Sequence, residues 1–594
     1  MLDKKIQEAI SKAFAELYKH DLPSIEVGLQ PTRKEFEGSY TFVVFPYLKV
    51  TKGGAEDSGA QIGDWLKENT DFITDYNVVK GFLNLKLSDR SWTETLSEIA
   101  KNESYGTFAA NGQKVMVEFS SPNTNKPLHL GHLRNNFLGD SAARILEANG
   151  YEVKKVNLVN DRGVHICKSM LAYQKMGNDE TPESAGMKGD HLIGKYYVKF
   201  DQMYKAEINV LVEEGMEPEE AKKEAPSIKE AQEMLQKWEK GDSETVALWE
   251  KMNNWVYDGF DKTYETMGIR FDTMYKESNT YLLGKELVEE GLQKGVFFKK
   301  DNGSVWVDLT EDGMDEKLVL RGDGTAVYMT QDMGTCDMKH KDFPFNKSVF
   351  VVGNEQDYHF KVLFTIMKKL GRTYADGLYH LSYGMVDLPT GKMKSREGTV
   401  VDADDLLQEM FDTAERHTRE LGKIEGMDAS EAGILYRTLG LGALKYFLLK
   451  VDPKKRMLFN PQESIEFQGH TGPFIQYTHA RISAILRRGK SLEVQTSFDA
   501  KNVGELSQRE VDLIFKITAY SNALQEAAKD FSPAIIAQYV YDLAKDYNGF
   551  YQEVPIFNEE NKDKLAFRIA LSSMTAKLIK QGMSLLGIDV PDRM

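Results

Sequence analysis

A chain of 594 residues, 41% hydrophobic and 28% charged, is too long for one core and predicts three or four soluble domains. Two cysteines, Cys167 and Cys336, exclude a disulfide framework or a Cys-rich zinc knuckle and point to a reducing compartment, the cytoplasm. The formal net charge of −16 argues on average against a polyanionic partner, so phosphate contact must come from local basic runs.

Residues 1–105 read as an α+β module. Ile6, Ile10, Ala13, Phe14 and Leu17 share one helical face, and the lysines before them are not followed by the apolar stretch of a signal peptide. Strands are predicted over 39–47 and 81–87, with Phe42, Phe45 and Tyr47 as sheet core. Nothing in this module assembles a catalytic constellation.

Residues 106–400 predict a parallel α/β sheet. A strand at 115–117 runs through Ser120-Ser121-Pro122-Asn123 into His129-Leu130-Gly131-His132, and a helix carries on to the Asn149-Gly150 stop. Two imidazoles three residues apart thus lie where a strand hands over to a helix N-terminus, which attracts phosphate. Both can donate to phosphate oxygens, Gly131 lets a base or ribose lie on the backbone, and Lys126 adds a charge. The spacing is too tight for a zincin, and no metal-ligand set is assigned.

A second strand, 153–159, ends in Asn160-Asp161-Arg162-Gly163. Residues 175–250, rich in Glu and Lys, read as a helical insertion without motifs. Strands are expected again at 303–309, 325–329 and 348–352, which puts Tyr328, Asp332, Gln356 and His359 at the rim where ligands of such sheets gather. A last strand at 381–388 leads into Pro389-Thr390-Gly391-Lys392-Met393-Lys394-Ser395-Arg396, a basic loop bracketed by glycines.

Helices at 403–421 and 429–449 begin the rest of the chain, read as a helical connector, 401–455, and an all-helical domain, 456–594. The run 434–451 is broken by Arg437 and Lys445, so no apolar stretch of bilayer length exists. Lys454, Lys455 and Arg456 form one basic run; Arg481, Arg487, Arg488 and Lys490 form another.

The His-x-Gly-His turn, a Lys-Met loop after the last strand of the same sheet, and Gln476-Tyr477-Thr478-His479-Ala480-Arg481 together resemble the class I aminoacyl-tRNA synthetases, in detail their arginyl-tRNA synthetase family. The resemblance is specific over 115–165, 320–400 and 435–482. It implies a Rossmann-like catalytic domain, an N-terminal module that touches the tRNA elbow, and a helical anticodon-binding domain. It implies ATP with Mg²⁺, L-arginine and tRNA(Arg) as the molecules handled, and a monomer.

By position, the family's ATP residues would be Lys126, His129, Gly131, His132, Gln356, His359 and Met385. Those for arginine would be Glu118, Asn123, Tyr328, Asp332 and Gln356, and those near tRNA would be Gln476, Tyr477 and Arg481. Catalytic roles fall to His129, His132, Lys126, Lys392 and Lys394. The loop departs from the family's K-M-S-K-S: Ser395 stands where the second lysine belongs, and Lys126 is expected to supply that charge. The insertion looks too short for an editing domain. Two other readings of the His-x-Gly-His turn stay open, a small-molecule nucleotidylyltransferase and a non-catalytic RNA-binding relative.

Overall fold

A computed structural model describes residues 2–387, 401–422, 424 and 426–594. Strands β1 (Leu29–Pro31), β2 (Tyr40–Val43), β3 (Ile73–Val79) and β4 (Phe82–Leu87) form an antiparallel sheet in the order β1-β2-β4-β3. The predicted strand at 39–47 stops at Val43 because Pro46 sits in a 3₁₀ turn, Phe45–Tyr47. Phe42 is core, packed edge-on to Phe14 at 6.0 Å, whereas Phe45 is 48% exposed and not sheet core.

This module docks on the C-terminal helices. The Thr93 hydroxyl donates to the Ala500 carbonyl at 3.0 Å, Tyr105 donates to the Ile517 carbonyl at 2.8 Å, and the Tyr40 ring meets Phe515 at 5.1 Å.

The central sheet consists of β5 (Lys114–Glu118), β6 (Glu152–Val159), β7 (Thr273–Lys276), β11 (Lys347–Gly353) and β12 (Leu378–Tyr383), all parallel, in the order β12-β11-β5-β6-β7. The chain builds outward from β5 on one side, then returns to lay β11 on the other. The order therefore reverses between β5 and β11, and a crevice opens at their carboxyl ends.

Two predicted members are absent from this sheet. Residues 303–309 contribute β9 (Val305–Val307) to a small antiparallel sheet with β8 (Phe297–Lys299) and β10 (Lys317–Leu320). Residues 325–329 form no strand. Thr330 caps the Val327 N–H at 3.3 Å and a helix, Tyr328–Asp342, starts there.

Between β6 and β7, helices run from Val164–Met176 to Ser243–Met267, wider at both ends than the predicted 175–250. Two of them cross closely. A Cβ on Gly189 would lie 2.0 Å from the Trp255 carbonyl oxygen, so only glycine allows that approach. Helices Ala403–Glu420 and Ala429–Leu449 begin where expected, capped by Asp402 and Asp428. Among the described residues no helix is long and apolar enough to cross a membrane.

Candidate active site

His129 is the N-cap of the helix Leu130–Ala148 and His132 is its third residue. His129 Nδ1 accepts the Gly131 N–H at 3.1 Å, and His132 Nδ1 accepts the His129 N–H at 3.1 Å. This is a capping box built from two imidazoles, whose rings lie 3.8 Å apart. Because each Nδ1 is an acceptor, each neutral ring carries its proton on Nε2.

Burial, with Lys126 nearby, pushes His129 down to about 4. Burial, with His129 and Lys126, pushes His132 well below its ordinary value. Both rings are therefore neutral donors at pH 7. Lys126, its own pKa lowered by burial, supplies the local charge together with the helix N-terminus.

The turn is held from three sides. Asn135 accepts the Ser120 N–H at 2.7 Å and donates to the Val351 carbonyl of β11 at 2.7 Å, which joins both walls of the crevice. Residue 120 needs that support, since its φ of 64° is unusual for a serine. Residues 401–403 run beside the turn, with Leu130 N–H to the Val401 carbonyl at 3.2 Å and Ala403 N–H to the Leu128 carbonyl at 2.9 Å. Beneath it the fully buried Arg134 guanidinium donates to the carbonyls of Gly384, Met385, Pro453 and Lys455, at 2.7, 3.3, 3.2 and 2.9 Å. Those carbonyls flank β13 (Val386–Asp387) and β14 (Met457–Leu458), a parallel pair. Met385 is thus placed by the signature helix, and its side chain is exposed. Lys392 and Lys394 lie outside the described residues.

The helix Tyr328–Asp342 packs along the sheet. Asn346, just past it, donates its N–H to the Lys114 carbonyl at the start of β5, and Lys339 meets Glu118 at the end of β5. Its first turns therefore project beyond the carboxyl ends of the strands. They carry Tyr328, 77% exposed, and Asp332, whose carboxylate meets His359 Nε2 at 2.7 Å. Gln356 is exposed in the turn after β11, and Asn123 is exposed beside Asn160, past the end of β6.

Three expected contacts come out differently. Glu118 is not open to a ligand: it is buried in an ion pair with the equally buried Lys339, a partner the sequence did not suggest. His359, expected at ATP, engages Asp332. Gln476, expected near tRNA, is fully buried and donates to the carbonyls of Thr438 and Asp589 at 3.0 and 2.8 Å, so it anchors the chain's last residues instead. Sequence reading also missed Glu277 at the end of β7, whose pKa burial raises, helped by Asp161 and Asp332.

In the C-terminal helices a groove of about 1060 Å³ is lined by Tyr477, Arg481, Arg487, Tyr551, Asp592 and Met594 among others. The Arg481 guanidinium donates to the side-chain amide oxygen (Oδ1) of Asn548 and lies 4.9 Å from the Tyr477 ring and 5.2 Å from that of Tyr551. Interleaved arginines and tyrosines suit stacked bases and a phosphate backbone.

Residues 95–460 match the family of class I (R) tRNA synthetase catalytic domains, and residues 475–594 match the DALR anticodon binding domain. The chain is 58% identical to the arginine–tRNA ligase of Amoebophilus asiaticus and 55% identical to that of Bacteroides fragilis, with 100% of each chain covered in both cases. The arginyl-tRNA synthetase of Thermus thermophilus superposes with a TM-score of 0.80 over 100% of both chains at 24% identity, a likeness of fold. The chain belongs to the arginyl-tRNA synthetase family of the class I aminoacyl-tRNA synthetases.

Proposed function

We propose that this chain joins L-arginine to the 3′-terminal adenosine of tRNA(Arg) in two steps, as a cytoplasmic monomer using Mg²⁺-bound ATP. The arginine carboxylate attacks the α-phosphorus of ATP and pyrophosphate leaves. A ribose hydroxyl of the tRNA then attacks the adenylate carbonyl and AMP leaves. The attacking carboxylate is already ionised at pH 7, so the first step needs no general base. Catalysis reduces to alignment and to donors aimed at the phosphoryl oxygens.

The observation that carries this reading is the two-sided crevice between β5 and β11. Two neutral Nε2–H donors stand on the helix N-terminus that follows β5, and the Asp332 carboxylate stands in the first turns of the helix that leads to β11. His129, His132, Gly131 and Lys126 take the triphosphate, with Gln356 and Met385 at the rim and Lys392 and Lys394 from the basic loop. Asp332, oriented by His359, accepts the guanidinium fork, with Tyr328, Asn123 and Gln356 around it. Citrulline and lysine leave that acceptor unmatched, which supports discrimination of about 10⁴–10⁵ without a second hydrolytic site. Tyr477 and Arg481 meet the anticodon arm.

Arginine-dependent ATP–pyrophosphate exchange tests the reading, run with and without tRNA. Exchange that requires both arginine and tRNA is expected. Asp332→Ala should abolish it while ATP binding stays nearly intact; loss of ATP binding would mean the arginine pocket is misassigned.

A further inference from the structure

The long helix Gly189–Glu213 of the insertion passes directly beside the ATP turn. A Cβ on Gly194 would lie 3.0 Å from Pro127 Cδ and 3.8 Å from the Lys126 Cα. At the start of that helix five charged or titratable side chains converge from two separate segments. Lys188 precedes the helix, Asp190 and His191 open it, and Asp402 and Asp404 come from the stretch that runs beside His129. Lys188 Nζ is paired with Asp404, donates to Thr263 Oγ1 at 2.6 Å, and lies 3.5 Å from Asp190. His191 Nε2 lies 3.1 Å from Asp404 and 3.3 Å from Asp402. Thr263, on the helix Ser243–Met267, donates to the other Asp404 oxygen at 3.0 Å.

Asp190, His191 and Asp404 have the composition of a cation site, but the Lys188 ammonium already serves that cluster, so it needs no metal ion. What the cluster fixes is residues 402–404. Residue 402 is bridged antiparallel to His129, and the backbone on either side is hydrogen-bonded to Leu128 and Leu130. The imidazole at the triphosphate is thereby tied, through one short piece of backbone, to an ion-pair cluster rooted in the insertion.

We propose that Lys188 and His191 are positioning residues for ATP: by holding Asp402 and Asp404 they fix the strand that sets the height and angle of the His129 turn. The insertion thus has a task in catalysis without touching a substrate. The inference rests on the reading that the 126–132 turn binds ATP. Pairing with Asp404, reinforced by Asp190 and Asp402 against burial, raises the His191 pKa. With His191 neutral, Lys188 alone faces three carboxylates, so the clasp is tighter when His191 is protonated and loosens as pH rises through its raised pKa.

The test is steady-state ATP–pyrophosphate exchange by the full chain, with arginine and tRNA saturating, on Lys188→Met, His191→Gln and the conservative Lys188→Arg. For Lys188→Met the KM for ATP should rise about tenfold, short of the roughly hundredfold cost of misplacing a group by an ångström. The KM for arginine should stay within about twofold, and Lys188→Arg should restore most of the loss. His191→Gln should flatten the alkaline limb of kcat/KM for ATP. Unchanged ATP kinetics in both Lys188→Met and His191→Gln would overturn the proposal. So would equal losses toward ATP and arginine that Lys188→Arg does not repair, since that marks a merely structural role. Should Lys188→Met fail to fold, Thr263→Val removes one strut without leaving a charge unpaired, and the same split decides. His129→Ala is the control: if it spares the KM for ATP, the ATP reading fails, and if it alone raises that KM, only the clasp fails.

Discussion

Arg134 is the buried cation on which the rim of the crevice between β5 and β11 rests, and its replacement by methionine has a calculable outcome. The side chain is 0% exposed and its four acceptors are all main-chain carbonyls. Burial lowers its pKa to about 10, so it remains charged at neutral pH. A hydrogen bond from a charged donor contributes about 1.5–3 kcal/mol, and two of the four are short. Part of that gain offsets the desolvation of the guanidinium. The net loss in Arg134→Met, whose side chain fills much of the same volume, is about 3 kcal/mol, a factor of about 150.

That loss should appear locally, as faster hydrogen exchange at the amides that stitch β13 to β14. These are Gly384 to Pro453 at 2.9 Å, Met457 to Met385 at 3.1 Å and Phe459 to Asp387 at 2.8 Å. Their protection should fall by about two orders of magnitude while amides in β5 and β11 keep theirs, and pyrophosphate exchange should fall in parallel. Arg134→Lys should recover little, since one ammonium cannot span two pairs of carbonyls. Protection of those three amides within threefold of wild type, or an equal drop in β5, would refute the reasoning.

Two further outcomes follow from the geometry. His129→Ala removes a helix cap and, on the proposed reading, a phosphate donor, so kcat/KM for ATP should fall by about 10²–10³ and stability by about 1 kcal/mol. His129→Asn keeps the cap acceptor and should restore stability but not rate, as thermal unfolding beside pyrophosphate exchange will show. The same pair reports on pH. Between pH 6.5 and about 4 the unfolded His129 binds a proton that the folded one refuses, so wild-type stability should decline by about 3 kcal/mol as pH falls through that window, and less in His129→Asn. In the groove lined by Tyr477, Arg481 and Tyr551, on the proposed reading, Arg481→Ala should raise the KM for tRNA about tenfold at low salt, with kcat recovered at saturating tRNA and the difference shrinking as salt is added.

The parts of the fold that were legible in the sequence are those where local chemistry and tertiary outcome agree. The helices at 403–421 and 429–449 start where their periodicity placed them, and the strand-turn-helix around His129 carried its own punctuation. Thr273–Lys276 went unseen because four residues of mixed polarity carry no period; the neighbouring β6 makes them a strand. Residues 325–329 misled in the opposite sense, their apolar side chains outvoted by the Thr330 hydroxyl, which accepts the Val327 N–H three residues back.

As site candidates, Lys126, His129, His132 and Asp332 could be singled out from residue type and position. Arg134, Lys339, Lys188 and His191 could not. A buried cation has the same letter as a surface one, and only the fold reveals the carbonyls or carboxylates that hold it. Gln476 erred for the same reason, since nothing in its neighbours says which way the side chain points.

The N-terminal module meets the C-terminal helices through contacts such as Thr93 to Ala500, separated by 407 residues. On a ribosome adding about 5–20 residues per second, the face bearing Tyr40 and Thr93 waits roughly 20 to 80 s for its counterpart to emerge. Through that interval the nascent chain carries an apolar surface with nothing to cover it, an opening for holdase chaperones. Circularly permuted genes that place the two halves of this contact together should shorten the wait.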